Sequence, residues 1–178
     1  TIHSAAQSGH EKTVLLLLSL RATIDAQTDK GNTPCWLAAF HGRPKVLRLL
    51  VLHRASSDLP NKQQMTPLWI AAQEKKPECI AVLAAAKASI DALTRDGGAP
   101  ICVASQVGGA ESVRLLAYLG ARLTDGGGNH FTRYFHDNRG KDRVFDSELW
   151  ERISREGGDE GTAKSMRKRI RMLKKANV

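Results

Sequence analysis

Aromatic side chains are scarce in this chain. Four Phe, three Trp and two Tyr stand among 178 residues, too few for an enzyme core built on packed rings. There are only three cysteines, Cys35, Cys79 and Cys102. An odd count without close spacing argues against a disulfide framework or a zinc knot. All three fall at helical positions, so buried thiols in a reducing, intracellular compartment are expected, with cytoplasm and organelle interior both open. No apolar run reaches about 18 residues, so no transmembrane segment is expected. The start shows no signal-peptide pattern. No Gly-rich phosphate loop, His-Glu-x-x-His or nucleophile elbow is present. The reading is therefore not an enzyme, with no cofactor, no catalytic residue and no metal. His130 and His136 lie near Asp137, but at a spacing that fits no standard metal site. Gly126-Gly127-Gly128 has no strand before it, which leaves phosphate binding weakly supported.

What the sequence does contain is a period. Thr33-Pro34 returns as Thr66-Pro67 and, weakened, as Ala99-Pro100, each step being 33 residues. The small pair behind it keeps register as Ala5-Ala6, Ala38-Ala39, Ala71-Ala72 and Ala104-Ser105, and so does the alanine series Ala22, Ala55, Ala88 and Ala121. A fixed period of about 33 with a Thr-Pro turn before small helical residues signals a solenoid. Such a chain offers a long surface rather than one enclosed site.

Each unit reads as two helices. Proline suits the first helical turn, where its missing N–H is not needed, and the threonine before it is placed to cap. Paired alanines let neighbouring first helices approach closely. The second helices carry larger apolar residues at i, i+3, i+4 spacing: Val14, Leu17 and Leu18; Leu47, Leu50 and Val51; Ile80, Leu83 and Ala84. No unit can bury both its faces, so stability comes from stacking.

These residues resemble the ankyrin repeat, whose pattern is Gly-x-Thr-Pro-Leu-His-x-Ala-Ala, then Gly and Val-x-x-Leu-Leu, then Gly-Ala. The second unit runs Gly31-Asn32-Thr33-Pro34-Cys35-Trp36-Leu37-Ala38-Ala39 and continues through Gly42, Val46, Leu49, Leu50 and Ala55. The third runs Gln64-Met65-Thr66-Pro67-Leu68-Trp69-Ile70-Ala71-Ala72. The fourth contains Gly97, Gly98, Pro100, Gly108, Val113, Leu115, Leu116 and Gly120-Ala121. The first opens in mid-turn with Ile2-His3-Ser4-Ala5-Ala6, which suggests a fragment or processed product with half a repeat upstream. The resemblance implies an all-α solenoid of stacked helix pairs with short hairpin loops. Its units would be 1–28, 29–61, 62–94 and 95–125.

Departures from the pattern carry their own expectations. Arg21, Arg54 and Lys87 stand where the family has a left-handed glycine, and only Gly120 conforms. Keeping that conformation costs ~1–2 kcal/mol for a residue with a Cβ. Trp36, Trp69 and Cys102 replace the family histidine, kept only as His3. Loss of its polar bonds and packing of the indoles along the stack are expected.

Beyond the repeats, residues 126–143 read as a linker or capping segment, with His130, Phe131, Tyr134 and Phe135 among arginines. Residues 144–178 read as a basic two-helix extension. Phe145, Leu149 and Ile153 form one stripe and Gly157-Gly158 ends it. Met166, Ile170 and Leu173 form a second, among Lys164, Arg167, Lys168, Arg169, Arg171, Lys174 and Lys175 with no acid between them. The whole chain carries a formal net charge of +9 and a pI near 9.8. A basic amphipathic helix suits an acidic protein surface or RNA. Membrane-surface binding is disfavoured because its apolar face lacks Trp and Phe.

The leading functional expectation is a non-enzymatic scaffold that binds protein partners within a larger assembly. By position in the family pattern, its groove would be lined by the hairpin tips Gln27, Asp29, Lys30 and Asn32, then Lys62, Gln63 and Met65, then Arg95 and Asp96. The first helices would add Phe40 and His41, Gln73 and Glu74, and Gln106 and Val107. Phe40 is the expected anchor, with packing against His41 the competing role. The alternatives are a structural subunit of a large ribonucleoprotein such as a ribosome, its tail on RNA phosphates, and an accessory domain of a larger enzyme.

Overall fold

The computed structural model describes residues 1–122. The expectations placed on residues 123–178, including the capping segment and the basic helix, lie outside the described residues. Eight helices and no strand occur among the described residues. The first helices of the four units are α1 (Ile2–Ser8), α3 (Pro34–Phe40), α5 (Pro67–Gln73) and α7 (Pro100–Gln106). The second helices are α2 (Glu11–Ser19), α4 (Pro44–Leu52), α6 (Pro77–Ala85) and α8 (Ala110–Tyr118). Every first helix has 7 residues and every second helix 9.

Local chemistry explains these boundaries. The hydroxyls of Thr33 and Thr66 accept the N–H groups of Trp36 and Trp69 at 3.1 and 3.2 Å. Thr1 caps α1 in the same way through Ser4, at 3.3 Å. Ala99 has no hydroxyl, and α7 starts without a side-chain cap. Each first helix ends at a left-handed residue in register: Gly9, Gly42, Lys75 and Gly108. The second helices close on another such series. Arg21, Arg54 and Lys87 hold φ of 60°, 67° and 62°, beside Gly120 at 87°. The conformation is thus kept without the glycine, with the strain that side chains bear there.

The eight helices form two layers. α1, α3, α5 and α7 pack in that order, α2, α4, α6 and α8 in that order, and each first helix packs on its own second helix. Every substantial helix contact lies within a unit or between adjacent units. Ala5, Ala6, Ala38, Ala39, Ala71, Ala72 and Ala104 are all buried, and they bring the first helices close together. Val14, Leu47, Ile80, Leu50, Leu83 and Leu116 fill the space between the layers. The buried face differs at its margin from the expected one. Val46 and Cys79 are fully buried, whereas Val51, Ala84, Leu17 and Leu18 are only half-buried.

Hairpins link the units. Their tips repeat one set of bonds: Gly31 N–H to Thr28 O at 2.7 Å, Gln64 N–H to Asn61 O at 2.9 Å and Gly97 N–H to Thr94 O at 2.9 Å. Successive tips are joined directly, Lys62 N–H donating to Lys30 O at 3.1 Å and Arg95 N–H to Gln63 O at 3.4 Å. The fold therefore presents a row of linked tips beside a stack of short helices.

Candidate partner-binding face

Two positions four residues apart distinguish the first helices of the successive units. The earlier one holds His3, Trp36, Trp69 and Cys102 in successive units, and the later one Gln7, Phe40, Gln73 and Gln106. Four-residue spacing stacks each pair on one helix face.

Trp36 and Phe40 use that spacing as a ring stack, with centroids 5.4 Å apart and planes 10° from parallel. His41 meets Phe40 edge-on at 4.8 Å. Phe40 is consequently half-buried and packed against the core, not the freely exposed anchor its position in the pattern suggests. Burial lowers the His41 pKa below its ordinary value, and the Arg43 and Lys76 charges add to this against the opposing pull of Glu74. His41 thus stays neutral beside a cationic rim near neutral pH.

The two tryptophans behave differently. Trp69 Nε1 donates to Gly98 O at 3.0 Å, while Trp36 Nε1 is buried without a partner. The expected loss of polar bonds therefore holds for Trp36 and fails for Trp69. His3 Nε2 contacts a different hairpin position in the first unit, Ala26 O at 2.7 Å.

At the hairpin tips Asp29, Lys30, Lys62, Gln63, Arg95 and Asp96 are exposed. Arg95 is fastened to the preceding tip by its backbone and by Nη2 on Lys62 O at 3.4 Å. Asn32 is structural: Thr28 Oγ1 accepts its N–H at 3.1 Å, and Asn61 Nδ2 donates to its side-chain oxygen at 3.3 Å. Met65 and Val107 are half-buried and packed on the core. Gln73 and Glu74 are half-exposed and Gln106 is exposed. The tip residues and the first-helix residues therefore form two parallel rows. The basic residues from Lys164 to Lys175 lie outside the described residues.

One repeated feature went unread in the sequence. Asp25, Asp58 and Asp91 stand 33 residues apart, and each accepts a backbone N–H from the next unit: Ser56 at 3.0 Å, Ser89 at 2.8 Å and Arg122 at 2.8 Å. Their spacing was the available signal.

Cys35, Cys79 and Cys102 are free and buried. Burial pushes the Cys35 and Cys79 thiols up to about 12, with Asp25 adding to the rise for Cys35 and Glu78 for Cys79. Such thiols are packing groups rather than nucleophiles. Among the described residues no cluster of three His, Cys, Asp or Glu is placed to hold a metal ion. No described helix is long and apolar enough to cross a membrane.

A family model described as ankyrin repeats (many copies) matches residues 2–51. Comparison with curated proteins gave no match. The unit within 2–51 is built again, helix for helix, up to Tyr118. Residues 2–51 are thus similar to the ankyrin-repeat family, whose repeats are generally protein–protein interaction modules and typically non-catalytic.

Proposed function

We propose that this chain is a non-enzymatic scaffold, holding a partner protein along the first-helix face and the linked hairpin tips. The observation that carries this reading is the row Gln7, Phe40, Gln73 and Gln106, half-exposed or exposed among the described residues, one residue per unit in identical register. The helix stack and the inter-unit bonds hold that row rigid, so little ordering is needed on binding. In this reading the seven positive charges between Lys164 and Lys175 dock on an acidic surface of the same assembly, in a reducing compartment. The test is the double change Phe40→Ala with Glu74→Ala. It weakens partner binding with the helical circular dichroism unchanged. Equal affinity would move the binding surface elsewhere, first to the tail.

The charge of the tail also supports a second reading, a structural subunit of a ribonucleoprotein. Seven cations within twelve residues and no acid suit phosphates. A salt titration of RNA binding by the intact chain and by a chain lacking residues 162–178 separates the two. If Z phosphates are neutralised, log affinity falls against log salt with a slope of about −0.7Z on single strands. A Z of roughly 3–5 fits one docked helix face. No RNA affinity at low salt removes this reading and leaves the acidic protein surface.

A further inference from the structure

The row at the end of the first helices has a chemistry of its own. Three of its four members are glutamines, and the fourth is Phe40 on its Trp36 platform. A glutamine amide offers two donors and one acceptor, the complement of a peptide backbone. Among the described residues, none of these three side-chain amides is engaged by another protein group. Neighbouring packed helices stand about 8–10 Å apart. A polyproline-II-like segment advances about 9.3 Å in the three residues after which it presents the same edge again. The glutamines of the first, third and fourth repeats therefore meet equivalent backbone sites of an extended chain that advances three residues per repeat, with Phe40 at the second.

Charge decides which chain. Around the Phe40 platform stand Arg43, whose Nε donates to Gln7 O at 3.1 Å, and Lys76, whose stem lies over Gly42. Glu74 is the opposing charge. Residues 1–122 hold 14 Lys and Arg against 9 Asp and Glu. The surroundings favour carboxylates on either side of an anchor residue.

We propose that the Gln7–Phe40–Gln73–Gln106 row receives an extended, acidic peptide segment of a partner protein. Its backbone is held by the glutamine amides, and an aromatic or large aliphatic side chain rests on Phe40. This rests on the scaffold reading above and narrows it to one form of partner.

The test pans a phage-displayed library of random twelve-residue peptides on the full chain. Fluorescein-labelled copies of the enriched peptides are then titrated by anisotropy. The expected sequences carry a Phe, Tyr, Trp, Leu or Met with Asp or Glu within three positions. Gln7→Ala with Gln73→Ala weakens them at least about fivefold, as does Phe40→Ala, the loss that separates contributing interface residues from neutral ones. Should Phe40→Ala lose its helical signal, the glutamine variant decides, because its side chains lie at the surface. No enrichment, enrichment of basic or wholly polar peptides, or a smaller loss in the glutamine variant overturns the proposal. Peptide binding lost through Asp29→Ala with Lys30→Ala but kept in the row variants also overturns it. In that case a groove that binds protein survives, on the hairpin tips alone.

Discussion

The carboxylate of Asp25 holds the backbone N–H of Ser56 with both oxygens, at 3.0 and 3.2 Å, across the boundary between two repeats. Asp58 with Ser89 and Asp91 with Arg122 repeat the bond one and two units on. Such a bond to an ionised acceptor contributes about 1.5–3 kcal/mol when sheltered. These sites are partly exposed, so the value falls below that range. Asp58→Ala should cost ~1 kcal/mol in denaturant unfolding, and Asp58→Asn, which keeps an acceptor oxygen, should cost less. Equal midpoints for wild type and Asp58→Ala would mean that the ladder contributes nothing to stacking.

The left-handed residues predict the opposite sign. Arg54 and Lys87 hold φ of 67° and 62°, where a side chain costs ~1–2 kcal/mol. Glycine returns part of that gain through unfolded-chain entropy, about 0.4–1 kcal/mol. Arg54→Gly and Lys87→Gly should each raise stability by up to ~1 kcal/mol, additively because they sit in different units. Thermal midpoints of both single variants and the double variant measure this. A lowered midpoint in either would show that the arginine or lysine stem contributes more through packing than the strain removes.

Leu50 and Leu83 are fully buried at one register position of α4 and α6. Leu50→Ala or Leu83→Ala should cost ~2–5 kcal/mol, combining lost transfer energy with a cavity. An unchanged denaturation midpoint for either would contradict the packing between the two layers.

Burial of Cys35 and Cys79 ties stability to alkaline pH. Their thiols rise from 9.0 in the unfolded chain to about 12 in the folded one. Between those values the folded state holds the proton that the unfolded state releases, so stability falls as pH rises. The contribution is fully present below pH 9.0 and is lost on the way to about 12. The slope is at most about 1.4 kcal/mol per pH unit for each thiol. Lysines and tyrosines titrate in the same range, so the comparison is between wild type and Cys79→Ala. Urea midpoints at pH 8 and pH 10.5 should diverge, the variant losing less. Parallel losses would show that the thiol is not the group responsible.

Much of this architecture was legible in the sequence because the period repeats a local cause. Thr33 and Thr66 announce caps, the proline after each announces a first helical turn, and Leu50 and Leu83 mark a buried face. What escaped depends on pairs the chain brings together from different units. The Asp25–Ser56 bond joins residues 31 positions apart. Trp36 and Trp69 share a register yet differ, Trp36 stacking on Phe40 with its Nε1 unpartnered and Trp69 donating to Gly98 O. Met65 and Val107 sit at groove positions in the pattern, but packing draws both toward the core. Sequence thus tells which residues occupy the first-helix row more securely than how far each side chain emerges from it.

The central claim is that the first-helix row is where this protein meets its partner. It is tested most directly by placing the photocrosslinking residue p-benzoylphenylalanine at position 40, 106 or 48 of the full chain in the organism that makes it. Positions 40 and 106 lie on the first helices, while Arg48 lies on α4 in the opposite layer. The account predicts that light joins one and the same protein to positions 40 and 106 and leaves position 48 free. Crosslinks to that protein from position 48 alone, or adducts containing only RNA, would contradict it.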